Sequence, residues 1–286
     1  MEKILDYAMK RMDVISAGIA TCHKKLLSDF FEKYYDEKME LTNENFAALE
    51  LYVELEKSNL DMKTIFGGQF PFPFPFPFPF PNPFPNPIPP ISLEALRMHD
   101  KISQNLSESD YIRCICGDAT AKINDKLFDF DAILEVIEKI YVISDAYIKE
   151  STSFDDFKEK MTTIFEDLSK KLTYYPNYLF ARMFFDVFIS SLLVWPNIII
   201  GNNPTKASSF WDKVKDEWNN RIKPILNEDS VSSLAGGLAG AAMGAATGAL
   251  AGGAGAIPGA IIGAVGGSIS CSVYSSIRMG LDLYNA

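Results

Sequence analysis

Histidine is almost missing from this chain, which has only His23 and His99 among 286 residues. With so few imidazoles, the usual general-base and metal-ligand arrangements have little to be built from. Neither histidine stands in a nucleophile, base or metal motif, and both read as solvated or packed surface residues on helical segments. Cysteine is scarce too. Cys22, Cys114, Cys116 and Cys271 make no CxxC pair, and Cys114 and Cys116 are too close for a zinc knuckle or an ordinary disulfide, so all four are expected as thiols. The chain holds no GxxxxGK[ST], HExxH or GxSxG. Gly253, Gly255 and Gly259 imitate part of a dinucleotide loop, but no β-branched strand precedes them and no acidic residue follows at the required distance. Asp129-Phe130-Asp131 lacks the glycine and the later glutamate of an EF-hand loop and reads as a helix cap. The expectation is no enzyme, no cofactor and no bound metal.

A basic patch is also lacking. Lys and Arg number 27 against 37 Asp and Glu, a net charge of −10, which argues against nucleic acid as a partner. The opening MEKILDYAMKRMD interleaves charges with apolar residues and lacks the apolar core of a secretory signal. A chain made in the cytosol without a Sec signal peptide is expected, reaching any outside target by a non-Sec route.

The largest absence is local. From Ser230 to Ile277 there is no Asp, Glu, Lys, Arg or His, and this stretch holds 12 of the chain's 18 glycines. Gly236, Gly240, Gly244, Gly248 and Gly252 form one row at spacing four; Gly255, Gly259, Gly263 and Gly267 form a second. Four is a helical spacing. Two positions on, a rotation of about 200°, lie Leu234, Leu238 and Leu250 in the first half and Ile257, Ile261, Val265, Ile269, Val273 and Ile277 in the second. Each half is therefore predicted as a helix with a smooth face and a ridged face, about 231–254 and 257–278, with the break at Gly252–Pro258. An interior glycine costs about 1 kcal/mol against alanine in water, so something must enforce these helices. A bilayer would do so, because it leaves backbone groups no other partner and lets small-xxx-small faces approach closely. The expected roles follow: the two glycine rows as membrane and oligomerisation surfaces, and the nine bulky residues as the lipid-facing ridge. The first half is mostly Ala and Gly, so insertion is expected to be conditional and the protein soluble beforehand.

The rest of the chain reads as amphipathic helix around one low-complexity tract. Leu5, Ala8, Met12, Ile15, Ile19, Cys22 and Leu26 alternate steps of three and four, a heptad seam on a helix from about 3 to 35. A second helix begins near Thr42-Asn43, carries Phe46, Leu49, Val53 and Leu60, and ends at Gly67-Gly68; the two are expected as an antiparallel pair. From Phe70 to Pro89 every second residue is proline, which forbids helix and central strand and leaves a stiff polyproline II spacer. Beyond it, Ser92 can cap a helix with Leu93, Leu96, Ile102 and Leu106. Asp129 or Asp131 can cap one bearing Ile133, Ile137, Ile140, Tyr141, Ser144 and Ile148. Ser153 with Asp156 resembles a capping box before Phe154, Phe157, Met161, Phe165 and Leu172. Pro176 marks a turn. From Tyr178 to Ile200 the pattern is apolar on most sides, broken at Pro196, and fits a central core helix better than a third membrane segment. Arg182 and Asp186 can pair on its surface. A last helix, capped near Ser208-Ser209, presents Trp211, Val214, Trp218 and Ile222 before Pro224.

The expected fold is all-α in four parts: an N-terminal helical hairpin over 1–69, the Phe-Pro spacer over 70–91, an amphipathic bundle over 92–229 and a glycine-zipper hairpin over 230–286. The stretch LAGGLAGAAMGAATGALAGGAGAIPGAIIGAVGG resembles the glycine-zipper bacteriocins, and helices wrapped around an uncharged hairpin resemble the layout of the pore-forming colicins. The resemblance implies a membrane-permeabilising, antibacterial effector whose partners are a lipid bilayer, copies of itself through the glycine rows, and an immunity or export protein. Two other readings are a membrane-anchored scaffold without pore activity and a defence effector acting on the producer's own membrane.

Overall fold

The computed structural model describes residues 2–34, 129–200, 207–250 and 256–285. Among the described residues every regular element is helical: α1 (Glu2–Tyr34), α2 (Phe130–Glu150), α3 (Phe154–Ser169), α4 (Tyr175–Ile200), α5 (Ala207–Glu217), a π turn (Trp218–Ile222), α6 (Lys223–Leu250) and α7 (Ala256–Asn285). The helix expected from residue 42, the Phe-Pro spacer and the helix after Ser92 lie outside them.

In α1 the seam residues Met12, Ile15, Ile19, Cys22 and Leu26 are buried, and so are Ser16, Ala20, His23, Leu27, Phe30 and Phe31. A two-position seam suits a helix coiled about one partner, whereas a stripe this wide suits a helix sunk into a groove. The groove belongs to this chain, since α1 packs on α4 and α7.

The caps of α2 and α3 sit where short polar residues meet the first turn. Asp129 Oδ1 accepts from the Ala132 amide at 3.1 Å, and Ser153 Oγ accepts from the Asp156 amide at 3.2 Å. Asp156 reaches back one residue further than a capping box requires, to the Thr152 amide at 2.9 Å.

Three proline expectations need correction. Pro176 opens α4 instead of marking a separate turn: at a helix start its missing N–H costs nothing and its fixed φ helps. Pro196 lies inside α4, which continues to Ile200. The ring removes the bond to the Leu192 carbonyl, but Asn197 Nδ2 donates to the next carbonyl along, that of Leu193, at 2.9 Å. Pro224 does not separate an outer helix from the hairpin either. Helix runs unbroken from Ala207 to Leu250 through the π turn, in which the Lys223 amide bonds to the Trp218 carbonyl five residues back. That wider turn makes room for a ring that would otherwise strike the carbonyl four residues before it.

The fold is organised around α4. Phe180, Met183, Phe184, Val187, Phe188, Leu192 and Trp195 are all buried, and α4 packs against α1, α2, α3, α5 and α6. Phe165 stacks on Phe185 at 4.6 Å, with the Arg182 guanidinium over both rings. Arg182 also pairs with Asp186 at 2.9 Å, largely covered instead of lying on the surface. The three tryptophans each bury an indole and pair its N–H. Trp211 donates to the Ser151 carbonyl at 2.7 Å, Trp218 to Asp145 at 2.9 Å and Trp195 to Asp229 at 2.8 Å.

Candidate functional site: the interlocked hairpin and its polar root

The two uncharged segments are helices that run alongside each other, α6 beginning eight residues before the expected start and α7 ending seven after the expected end. Their contact is made of backbone. A methyl group at Gly240 would collide with the Gly263 carbonyl, one at Gly267 with the Gly236 carbonyl, and one at Gly236 would come within 2.6 Å of Cys271 Sγ. Four of the nine row glycines, Gly236, Gly240, Gly263 and Gly267, are thus brought together, and they lock one arm of the hairpin to the other. Where the rows end, toward the start of α6 and the end of α7, serine takes over: Ser233 and Ser268 hydrogen-bond across the pair. Gly244, Gly248 and Gly259 are on the helices, but their surroundings lie outside the described residues, as do Gly252 and Gly255 altogether.

The ridge expected to face lipid faces protein in this arrangement. Leu234, Leu238, Ile261, Val265, Ile269, Val273 and Ile277 are all buried. The elements against the outer sides of the hairpin are α4, on α6, and α1, on α7. Exposure of this ridge therefore requires α1 and α4 to move off. The surroundings of Leu250 and Ile257 lie outside the described residues.

Below the glycine contact sits a group of polar side chains that the sequence reading did not assemble. Asp229, the last charge before the uncharged stretch, is fully buried. Its Oδ2 accepts from Ser191 at 2.5 Å and Trp195 at 2.8 Å, both on α4, and its Oδ1 accepts from Ser276 on α7. His23, expected at the surface, has no exposed area. Its Nε2 lies 3.2 Å from Ser276 Oγ and 3.7 Å from Asp229 Oδ2, and its Nδ1 lies 3.4 Å from Ser190 Oγ. One cluster thereby ties α1, α4, α6 and α7 together at the root of the hairpin.

Burial dominates the electrostatics there. It holds the imidazole neutral, pushing the His23 pKa down to about 3. It pushes the Asp229 carboxyl up to about 7; the hydrogen bonds from Ser191, Ser276 and Trp195 favour its ionised form, and nearby Glu228 opposes it. Removing either partner leaves buried polar atoms of the other without a hydrogen bond, at about 1–3 kcal/mol.

Serine, histidine and aspartate meet here. In a triad the carboxylate holds one imidazole nitrogen and the serine approaches the other. Here Asp229 and Ser276 both lie on the Nε2 side of the imidazole and Ser190 on the Nδ1 side, and His23, Asp229 and Ser276 have no exposed area. The hydrogen bonds of the cluster join side chains from four helices.

Two signals in the sequence pointed to this cluster. His23 follows Cys22 in the seam and sits four residues after Ile19, so a wider stripe includes it; Asp229 stands at the edge of a stretch too apolar to leave a carboxylate in water. Among the described residues no group of His, Cys, Asp and Glu could hold a metal ion. One stretch there, Pro176–Ile200, is long and apolar enough to cross a membrane by length and composition, and most of it is buried as the central helix. No protein-family model, curated protein or solved structure matches the chain.

Proposed function

We propose that this chain is a membrane-inserting effector that permeabilises a bilayer, and that it is soluble until its hairpin leaves the bundle. The observation that carries the reading is the construction of α6 and α7. Their contact with each other is made largely of glycine backbone and serine, while their ridged sides are covered by α1 and α4. Such a pair can move as a unit, since its internal contact owes nothing to the helices around it. In a bilayer the ridge would meet acyl chains and the glycine contact would stay as it is. Self-association through Gly236, Gly240, Gly263 and Gly267 would compete with the contact those residues make inside the chain, so insertion as a preformed hairpin is the simpler first step. An antibacterial target follows from the likeness to the glycine-zipper bacteriocins.

Release of trapped dye from phosphatidylglycerol-containing vesicles by the purified protein tests the proposal. Wild type is expected to release dye, and Gly240→Leu, whose side chain prises the arms apart, to lose most of that activity. Intact vesicles with wild type, at every protein concentration and pH tried, would end the reading.

The covered ridge and the clamped root favour a second reading, in which the hairpin is the permanent core of a scaffold protein. Hydrogen exchange in the presence of vesicles separates the two. A stored hairpin exposes α1 and α4 when lipid is added, and a permanent core leaves their protection unchanged.

A further inference from the structure

The polar cluster at the hairpin root accepts its hydrogens in two ways, and both satisfy every donor. In one, the carboxyl of Asp229 is protonated and donates to Ser276, whose own hydrogen goes to the Ser272 carbonyl 2.5 Å away. The neutral His23 then donates from Nε2 to Ser276 and accepts at Nδ1 from Ser190. In the other, Asp229 is ionised and Ser276 donates to it. His23 is then charged and donates from both nitrogens, Nε2 to Ser276 and Nδ1 to Ser190, whose hydrogen passes to the Val187 carbonyl 3.3 Å away. Ser276 stands between acid and base in both arrangements. Each holds one proton on the pair.

We propose that His23 and Asp229 form a one-proton clamp, joined through Ser276, that fastens the root of the hairpin to α1 and α4 and keeps it fastened with unchanging strength through mild acid. This deepens the proposed function and rests on it, since it concerns how the stored hairpin is held. A consequence is that mild acid does not by itself release the hairpin; contact with lipid, or removal of a covering helix, has to do so.

Among the described residues the groups that face the clamp can be named. His23 comes from α1, and Glu228, bonded to Ser275 of α7, is the neighbour on α6. The residues of α4 and α7 that touch the pair are the neutral Ser190, Ser191, Trp195 and Ser276. The Arg182–Asp186 pair sits lower on α4.

The sign of the pH response follows from counting protons. The unfolded chain titrates Asp229 at 3.8 and His23 at 6.5, so between those values it carries one proton, on the imidazole. The folded pair also carries one. Equal proton numbers mean that the pair adds nothing to the dependence of stability on pH in that interval. The variants break the balance in opposite directions. In Asp229→Asn only the depressed imidazole remains: its stabilising contribution is present above 6.5 and is lost as pH falls toward 3. In His23→Gln only the raised carboxyl remains: its contribution is present below 3.8 and is lost as pH rises toward 7.

Urea unfolding of the full chain from pH 4 to 6.5 tests this, each variant being compared with wild type at the same pH. The Asp229→Asn difference is expected to grow toward acid and the His23→Gln difference toward neutrality, each approaching about tenfold in the folded-to-unfolded ratio per pH unit. Slopes of the same sign, or none, overturn the clamp. Should either variant fail to fold, imidazole resonances of wild type decide, with His99→Gln assigning the two histidines. A His23 signal that stays constant through the interval supports the clamp, and an inflection near 6.5 overturns it. Vesicle leakage separates failure of the clamp from failure of the membrane reading. Opposed stability slopes without leakage at any pH keep the clamp and remove the membrane reading, while leakage with the same acid dependence in wild type and Asp229→Asn does the reverse.

Discussion

The outer helices α2, α3 and α5 and the hairpin α6–α7 bury their contacts by different means. An outer helix inserts large side chains: Phe157 lies between Trp211 and Trp218, with ring centroids 6.3 and 5.9 Å away. The hairpin has almost no side chain on its inner face and brings backbone to backbone at Gly240 and Gly263. Side-chain packing relaxes in part when an atom is removed or added, because neighbouring rotamers shift. A backbone contact has no rotamers with which to yield. The first kind of interface is tolerant of substitution; the second is all-or-none, as the proposed joint movement of the two arms requires.

The largest expected effect tests that contrast directly. Gly240→Leu places a branched side chain where even a methyl group meets the Gly263 carbonyl, and we expect a loss above about 4 kcal/mol, the range reserved for severe mechanisms. Phe157→Ala removes a fully buried ring from the outer layer, at about 3–5 kcal/mol. Urea unfolding ranks the two by midpoint, and hydrogen exchange localises them. Gly240→Leu should deprotect α6 and α7 together, and Phe157→Ala should deprotect α3 and α5 while leaving α7 protected. Equal loss across all helices in both variants would dissolve the distinction.

How much of this was legible in the sequence follows from the same division. For the outer helices the stripes and caps were readable because one face is wet, and polar residues then mark the boundary of the other: Ile133, Ile137, Ile140 and Ile148 are buried as their spacing implies. The glycine rows were readable as helical faces, since spacing alone carries that. What the rows touch was not. A smooth face fits a second chain as well as the other arm of its own hairpin, and only the packing of α6 on α7 in three dimensions selects between them. What covers the ridge in the bundle was not legible for a related reason: a residue apolar on its outward side is compatible with acyl chains and with α1 or α4. Pro196 and Pro224 read as breaks because local rules see the missing N–H but not the packing of α4 on its neighbours or the π turn ahead of Pro224. His23 and Asp229 were missed because their meeting spans 206 positions of sequence, and each alone looks like an ordinary polar residue.

Serine separates the two regions at the smaller end of the scale. Ser233 is buried between α6 and α7 and bonds to Ser268, so Ser233→Ala strands a hydroxyl away from water at a cost of about 1–3 kcal/mol. Removing both hydroxyls restores the balance, since two apolar groups of similar shape leave nothing unpaired; the double variant Ser233→Ala, Ser268→Ala is expected to regain most of the loss. Chemical denaturation of the two single variants and the double gives the coupling directly.

Ser153 caps α3 at a position open to water, and its replacement behaves otherwise. Ser153→Ala loses one bond to the Asp156 amide, at about 1 kcal/mol, because water takes over the amide that the hydroxyl released. Asp156 still accepts from the Thr152 amide at 2.9 Å, so part of the first turn stays satisfied. No second substitution should rescue it, as no buried partner has been left behind. Ser153→Asp is the exception that sharpens the point: it restores an acceptor and adds a negative charge at the positive end of the helix, and should recover the loss, whereas the same substitution at Ser233 would bury a carboxylate between two glycine-packed arms and unfold them. A recovery at Ser233 equal to that at Ser153 would mean that water reaches the hairpin interface as freely as it reaches the cap.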